Sequence, residues 1–336
     1  MSLKIDLFNH FFPRRFWEEF LQSSYGLKDM GKRVSKIPGI YDLDARFRAM
    51  DEFGEYTQLL SLGSPPIEIF FGAADAVRMA RIGNDGQAEL VMNYPDRFIG
   101  FIASLPMTEP AEAVKEMERS VTQLGAKGVQ IYTNVAGKAL DLPEFLPVFA
   151  EAVRLDIPIW IHPARAANFP DYLTEEKSKV EIWWTFGWPY ETSAAMARLV
   201  FSGLFDKFPS LKIITHHMGG MIPYFEGRVG YGWDALGSRT TDENYEALLA
   251  SMKKRPVDYF RSFLADTALF GARAATVCGL DFFGIDNVVF ASDTPFEPTP
   301  GLYIRETIKV IESLDITAAQ KDQIYRGNAA RLLKLE

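Results

Sequence analysis

The chain has 336 residues, 48% of them hydrophobic and 13% aromatic, enough to bury a sizeable core and too apolar for a disordered protein. Its 36 basic and 44 acidic residues give a net charge of −8, and no basic run stands out, which argues against nucleic acid as a partner. Cys278 stands alone, no window approaches the roughly 18 apolar residues of a membrane span, and the first residues lack a secretory-signal pattern, so a reduced, cytoplasmic setting without membrane contact is expected.

Residues 4–13 (KIDLFNHFFP) predict a short strand that delivers His10. Residues 41–53 have helical spacing, and 56–62 form an apolar run before Gly63, giving strand, helix, strand. The alanine-rich stretch 72–92 predicts a long helix and 97–105 a third strand. In the next helix Val114, Met117, Val121 and Leu124 repeat at the three-four spacing of one buried face, and Gly125 and Gly128 stop it. Residues 128–133 predict a fourth strand, 143–155 a helix opened by proline, and 157–162 a fifth strand ending in His162.

Residues 163–190 interrupt this alternation. They hold Trp183, Trp184 and Trp188 without clear periodicity and are expected to pass over the mouth of a site. A helix over 191–208 then leads to a sixth strand at 211–215, which runs into His216-His217-Met218-Gly219-Gly220, with more helix to about 254. Strand seven is expected at 259–267, a helix at 268–279, and strand eight at 287–292, followed by Asp293. The tail reads as helical with a turn at Arg326-Gly327-Asn328.

Eight near-continuously apolar strands alternating with helices predict an α/β fold with a parallel sheet covered on both faces. Eight is the number that closes a (β/α)8 TIM barrel, here one domain over 1–336 with an excursion after strand five. An open doubly wound sheet is the rival, but no Gly-x-Gly-x-x-Gly follows the first strand. The C-terminal strand ends of a barrel converge on one rim, and His10, His162, His217 and Asp293 would gather there. Imidazoles with a carboxylate suit a first-row metal such as zinc, or proton transfer without a metal.

Four segments carry a family resemblance: Ile5-Asp6-x-x-x-His10-x-x-Pro13, Ile161-His162-Pro163, the run from Glu191-Thr192 through SGLFDKFPSLKII to His217-x-Gly219-Gly220, and Ala291-Ser292-Asp293. Together they resemble the amidohydrolase superfamily, and within it the decarboxylase branch that includes aminocarboxymuconate semialdehyde decarboxylase and γ-resorcylate decarboxylase. Residues 97–130 are especially similar to the former. The resemblance implies a carbon–carbon lyase acting on an aromatic or unsaturated carboxylic acid, with a divalent metal, zinc or alternatively manganese, held by His10, His162 and Asp293. Asp293 would also handle the proton, His217 would activate water or polarise substrate, and Arg228 would reach the substrate carboxylate of a neighbouring subunit in a homodimer or homotetramer. Trp188 and its neighbours would wall an aromatic pocket.

One position departs from this pattern. The family begins His-x-His or Glu-x-His, and here the first ligand position is Phe8, on the same side of the strand as His10. Metal binding is therefore expected to be weak or absent. His216 is expected to point away from the site, opposite His217, by strand alternation. Hydrolysis of a lactone or ring ketone, with or without metal, is the alternative reaction, and a non-catalytic binding protein on the same scaffold is a third reading.

Overall fold

The computed structural model describes residues 3–23, 29–239 and 243–335. The ends of the expected 1–336 domain, and the stretch 240–242 within the helix expected to run to about 254, lie outside these residues.

Eight parallel strands form one sheet in sequential order: β1 (Lys4–His10), β2 (Tyr56–Ser61), β3 (Phe98–Ser104), β4 (Gly128–Tyr132), β5 (Ile159–His162), β6 (Ile213–Thr215), β7 (Leu264–Asp266) and β8 (Val288–Val289). The edges meet. Leu7 N–H donates to the Phe290 carbonyl (2.9 Å), Asp293 N–H to Phe8 (3.0 Å) and His10 N–H to Thr294 (2.9 Å), so the chain after β8 lies along β1 and brings the sheet to a nearly closed (β/α)8 barrel. Strand interiors are buried on both faces, as the continuous apolar runs require.

The helices follow from their sequences. Pro110 opens the helix Pro110–Leu124, and Gly125 ends it in the left-handed region (φ 78°). Ala113 and Met117 are its deepest apolar residues, with Val114, Val121 and Leu124 packed at the margin of the same core. Three expectations shift. Strand seven is only three residues long, because Pro256 starts a short helix (Pro256–Phe260) whose apolar residues resemble those of a strand. The helix expected at 268–279 runs instead from Arg273 to Phe283, and the expected turn at 326–328 is a wide helical turn (Gln323–Gly327) feeding the helix Asn328–Leu333. The helices Arg14–Gln22 and Asp29–Val34, and a small hairpin (Asn134–Val135 with Lys138–Ala139), add to the expected elements.

An irregularity in β1 sets the site. Asp6 pairs with Gln58 but Asn9 pairs with Leu60, so β1 carries one extra residue, a β-bulge. Asp6 Oδ1 accepts from Phe8 N–H (3.2 Å), and Asn9 Nδ2 donates to the Asp6 and Leu59 carbonyls (both 3.1 Å), which pins the bulge. Past it, Phe8 and His10 both face the barrel interior, whereas Asn9 faces outward to the guanidinium of the buried Arg46 (2.6 Å).

Candidate active site

Four side chains from four strand ends converge on the rim: His10 (β1), His162 (β5), His216 (after β6) and Asp293 (after β8). All are buried, and one ligating atom from each lies within 4.8 Å of the others. Backbone partners orient the first two rings. His10 Nδ1 lies 3.0 Å from the Leu62 carbonyl and His162 Nδ1 lies 2.7 Å from the Pro163 carbonyl. A carbonyl only accepts, so each Nδ1 carries a proton, and a ring in that neutral tautomer would present a bare Nε2 to the shared centre. His10 Nε2 is 3.1 Å from Asp293 Oδ1. A bare nitrogen and a carboxylate oxygen repel at that distance unless a cation lies between them, so the donor set suits a divalent metal.

His216 corrects the expectation from alternation. Ile214 packs with the barrel interior, Thr215 turns outward to Met196 Sδ (3.2 Å), and His216 turns inward again. His217 reaches the rim too, because its backbone (φ 52°) and that of Met218 (φ 52°) enter the left-handed region and break the strand period. Asp293 shares this conformation (φ 64°). Such geometry costs non-glycine residues about 1–2 kcal/mol each and concentrates at functional sites.

Burial favours neutral groups, and the cluster answers it unevenly. Burial, reinforced by the neighbouring His216 and His10, holds His162 well below the ordinary histidine range. Burial also opposes charge on His216, but the Asp266 carboxylate on its Nδ1 overrides this and raises it to about 9. Burial would raise Asp293, yet the histidines gathered around it, His10, His216 and His217, hold it well below the usual carboxylate range. Burial lowers His217, with His216 adding to the effect.

Beside the cluster lies a cavity of about 160 Å³, lined by His217 and Asp293 together with Trp184, Trp188, Phe270, Phe296 and Tyr303. Trp188 comes from the excursion after β5. Its Nε1 donates to the Arg165 carbonyl (3.1 Å), and its ring lies 5.5 Å from His162 and 6.4 Å from His217. His217 Nε2 is 3.5 Å from Asp293 Oδ2, and neither ring nitrogen completes a hydrogen bond, so a buried polar edge lies open beside the cavity. Arg33 also lines the cavity, its guanidinium 5.1 Å above the Trp184 ring. Arg228 does not line it; it is exposed, 5.7 Å over Phe225. Phe8 is fully buried against the cluster, its ring centroid 5.0 Å from His10, 5.7 Å from His162 and 4.1 Å from His216.

The family pattern described as Amidohydrolase matches residues 5–335. The chain belongs to the amidohydrolase family. Among curated relatives, the γ-resorcylate decarboxylase of Polaromonas sp. is 34% identical over 349 aligned positions, covering 100% of this chain and 99% of the relative. The 2-amino-3-carboxymuconate-6-semialdehyde decarboxylase of Dictyostelium discoideum is 30% identical, covering 100% of this chain and 92% of its own length. A solved structure of dihydroxybenzoic acid decarboxylase from Polaromonas sp., with bound manganese and the inhibitor 2-nitroresorcinol, superposes with a TM-score of 0.80 at 30% identity, over 100% of this chain and 98% of that one. The relatives bear out the resemblance to the decarboxylase branch.

Three residues at this amidohydrolase rim escape sequence reasoning. Arg33 belongs to no motif and reaches the cavity only through the packing of its helix. His216 sits on the face opposite to the one that strand alternation assigns it. Asp266 had a visible signal, since Leu264-Ala265-Asp266 ends β7 much as Ala291-Ser292-Asp293 follows β8. The Gly219-Gly220 pair has a steric reason: a Cβ on Gly220 (φ 62°) would lie 2.4 Å from the Pro189 carbonyl, just after Trp188. Gly220→Ala is therefore expected to lower stability by on the order of 2 kcal/mol, read by denaturant unfolding. It should also reduce turnover by displacing Trp188 and His217 relative to each other.

Proposed function

We propose that this chain is a metal-dependent, non-oxidative decarboxylase of a hydroxylated aromatic carboxylic acid, with γ-resorcylate as the first substrate to try. One observation carries the reading: a cavity sized for a single aromatic ring, walled by aromatic side chains, has the Asp293 carboxylate and an unpartnered His217 on one side and a guanidinium in its lining. Pockets for drug-sized ligands run to about 300–1,000 Å³, so this space suits a smaller molecule.

Decarboxylation replaces a ring carboxylate by a proton. The proton adds to the carbon bearing the carboxylate, the carbon–carbon bond then breaks, its electron pair restores the ring, and carbon dioxide leaves. Asp293, ionised in the resting site, first takes a proton from a substrate hydroxyl through His217, 3.5 Å away, and then delivers it to that carbon, while solvent returns a proton to the phenolate left behind. The open edge of His217 meets a substrate oxygen, and Trp188 and Phe270 confine the ring. His10, His162 and Asp293 would hold the divalent metal, zinc by donor type and manganese as in the Polaromonas enzyme. The metal would supply positive charge to orient and polarise the substrate's oxygens.

Arg33 is the carboxylate grip within this subunit. Arg33→Met is expected to raise KM for γ-resorcylate about tenfold, the worth of one charge-assisted hydrogen bond, with a smaller change in kcat. An unchanged KM would remove Arg33 from substrate binding. Arg228 serves a neighbouring subunit in a homodimer or homotetramer: it is exposed beside Tyr224 and Tyr231, themselves 80% and 83% exposed. We place the enzyme in the cytoplasm, as one barrel domain over 1–336. No helix among the described residues is long and apolar enough to cross a membrane. The test is anaerobic incubation with γ-resorcylate and no added oxidant, which should release carbon dioxide and resorcinol in equal amounts.

A further inference from the structure

The first strand of this barrel offers one donor where its bulge presents two side chains. Phe8 and His10 both face the centre, and the Phe8 ring cannot coordinate a cation. The fourth donor arrives from another strand. His216 presents Nε2 to the same centre, 3.4 Å from Asp293 Oδ1, with its ring against Phe8 at 4.1 Å. Its Nδ1 donates to Asp266 Oδ2, and Asp266 is itself fully buried and fixed by the Ala268 N–H on its other oxygen (3.1 Å). His10 and His162 show the same arrangement, Nδ1 engaged by an oxygen and Nε2 turned inward. All three imidazoles thus engage Nδ1 with an oxygen and turn Nε2 to one centre, and a histidine with only a packing role has no reason to match the other two.

We infer that His216 is the fourth metal ligand of this enzyme, replacing from β6 the donor that Phe8 removes from β1, and that Asp266 is its positioning residue. The inference rests on the metal-dependent reading above. Phe8 becomes a spacer that seats the His216 ring. The ligand set becomes three neutral imidazoles and one carboxylate, with Asp266 adding a second negative charge just outside it. Carboxylate–histidine–metal arrays of this kind fix the ring and raise its basicity, and loss of the outer carboxylate typically weakens metal binding about 10–100-fold.

The test uses the whole chain loaded with Co²⁺, in which hyperfine-shifted, solvent-exchangeable imidazole N–H protons are counted by NMR. Three such signals are expected, from the Nδ1–H groups of His10, His162 and His216, and His216→Asn should remove one of them. Two signals in the unaltered protein, or three surviving in His216→Asn, would overturn the assignment while leaving metal dependence intact. Failure of the unaltered protein to bind Co²⁺, Mn²⁺ or Zn²⁺ would instead overturn the metal-dependent reading and this inference with it. Chelator competition supplies an independent measure. His216→Asn should weaken Zn²⁺ binding by more than about 100-fold and Asp266→Asn by about 10–100-fold, whereas affinities within threefold of the unaltered protein in both folded variants would contradict the assignment. Should His216→Asn fail to fold, the signal count in the unaltered protein decides alone.

Discussion

Asp293→Asn is expected to reduce kcat for decarboxylation by about 10³–10⁴-fold, at the upper end of what a positioned proton-transfer group contributes. The amide keeps the size of the side chain but cannot carry a proton to a ring carbon. It also exchanges an anion, held ionised against burial by His10, His216 and His217, for a weaker neutral donor. Both losses fall on the same step, so kcat should collapse further than KM rises. The check is steady-state kinetics with the metal content of each preparation measured alongside. Turnover within tenfold of the unaltered enzyme, at equal metal content, would mean that another group delivers the proton. His217 is the neighbour to test next, 3.5 Å away.

Removal of the metal is the second large effect. Exhaustive chelation is expected to abolish turnover, and Mn²⁺ or Zn²⁺ should restore it. The unliganded rim would hold bare nitrogens against a carboxylate with no cation between them. Protons replace the metal only in part, because burial and the neighbouring histidines keep His162 neutral while Asp266 draws a proton onto His216. The metal-loaded protein should also resist unfolding: at 100 times its dissociation constant, a ligand bound only by the folded state contributes about 2.7 kcal/mol. A thermal scan with and without chelator reads this directly. Full activity after verified metal loss would favour hydrolysis or proton transfer by the protein groups alone.

Much of this site was legible because it sits where strands end. Apolar runs marked the eight strands, and His10, His162 and Asp293 each followed one, so the barrel rule alone brought them together. Strand seven is shorter than its apolar pattern suggests because Val257, Tyr259 and Phe260 are as apolar as a strand, and only Pro256 marks the helical turn. His216 and His217 were beyond alternation. One left-handed residue lets consecutive side chains reach the same rim, and sequence does not announce a positive φ at histidine. The β1 bulge was hidden similarly: it keeps Phe8 and His10 in phase yet lets Leu7 face inward too, which a count of alternate residues misses. Arg33 depends on how a short helix packs over the cavity, and no local pattern encodes that.

Decarboxylation is read most directly in the fate of a ring carbon. The decisive measurement is to incubate the metal-loaded enzyme with γ-resorcylate in D₂O and analyse gas and product by mass spectrometry. Carbon dioxide and resorcinol are expected in equal amounts, the resorcinol carrying one deuterium at the carbon that bore the carboxylate. Absence of carbon dioxide from γ-resorcylate and other hydroxybenzoates, with lactones opened to acids by the same preparation, would contradict it and make this barrel a hydrolase.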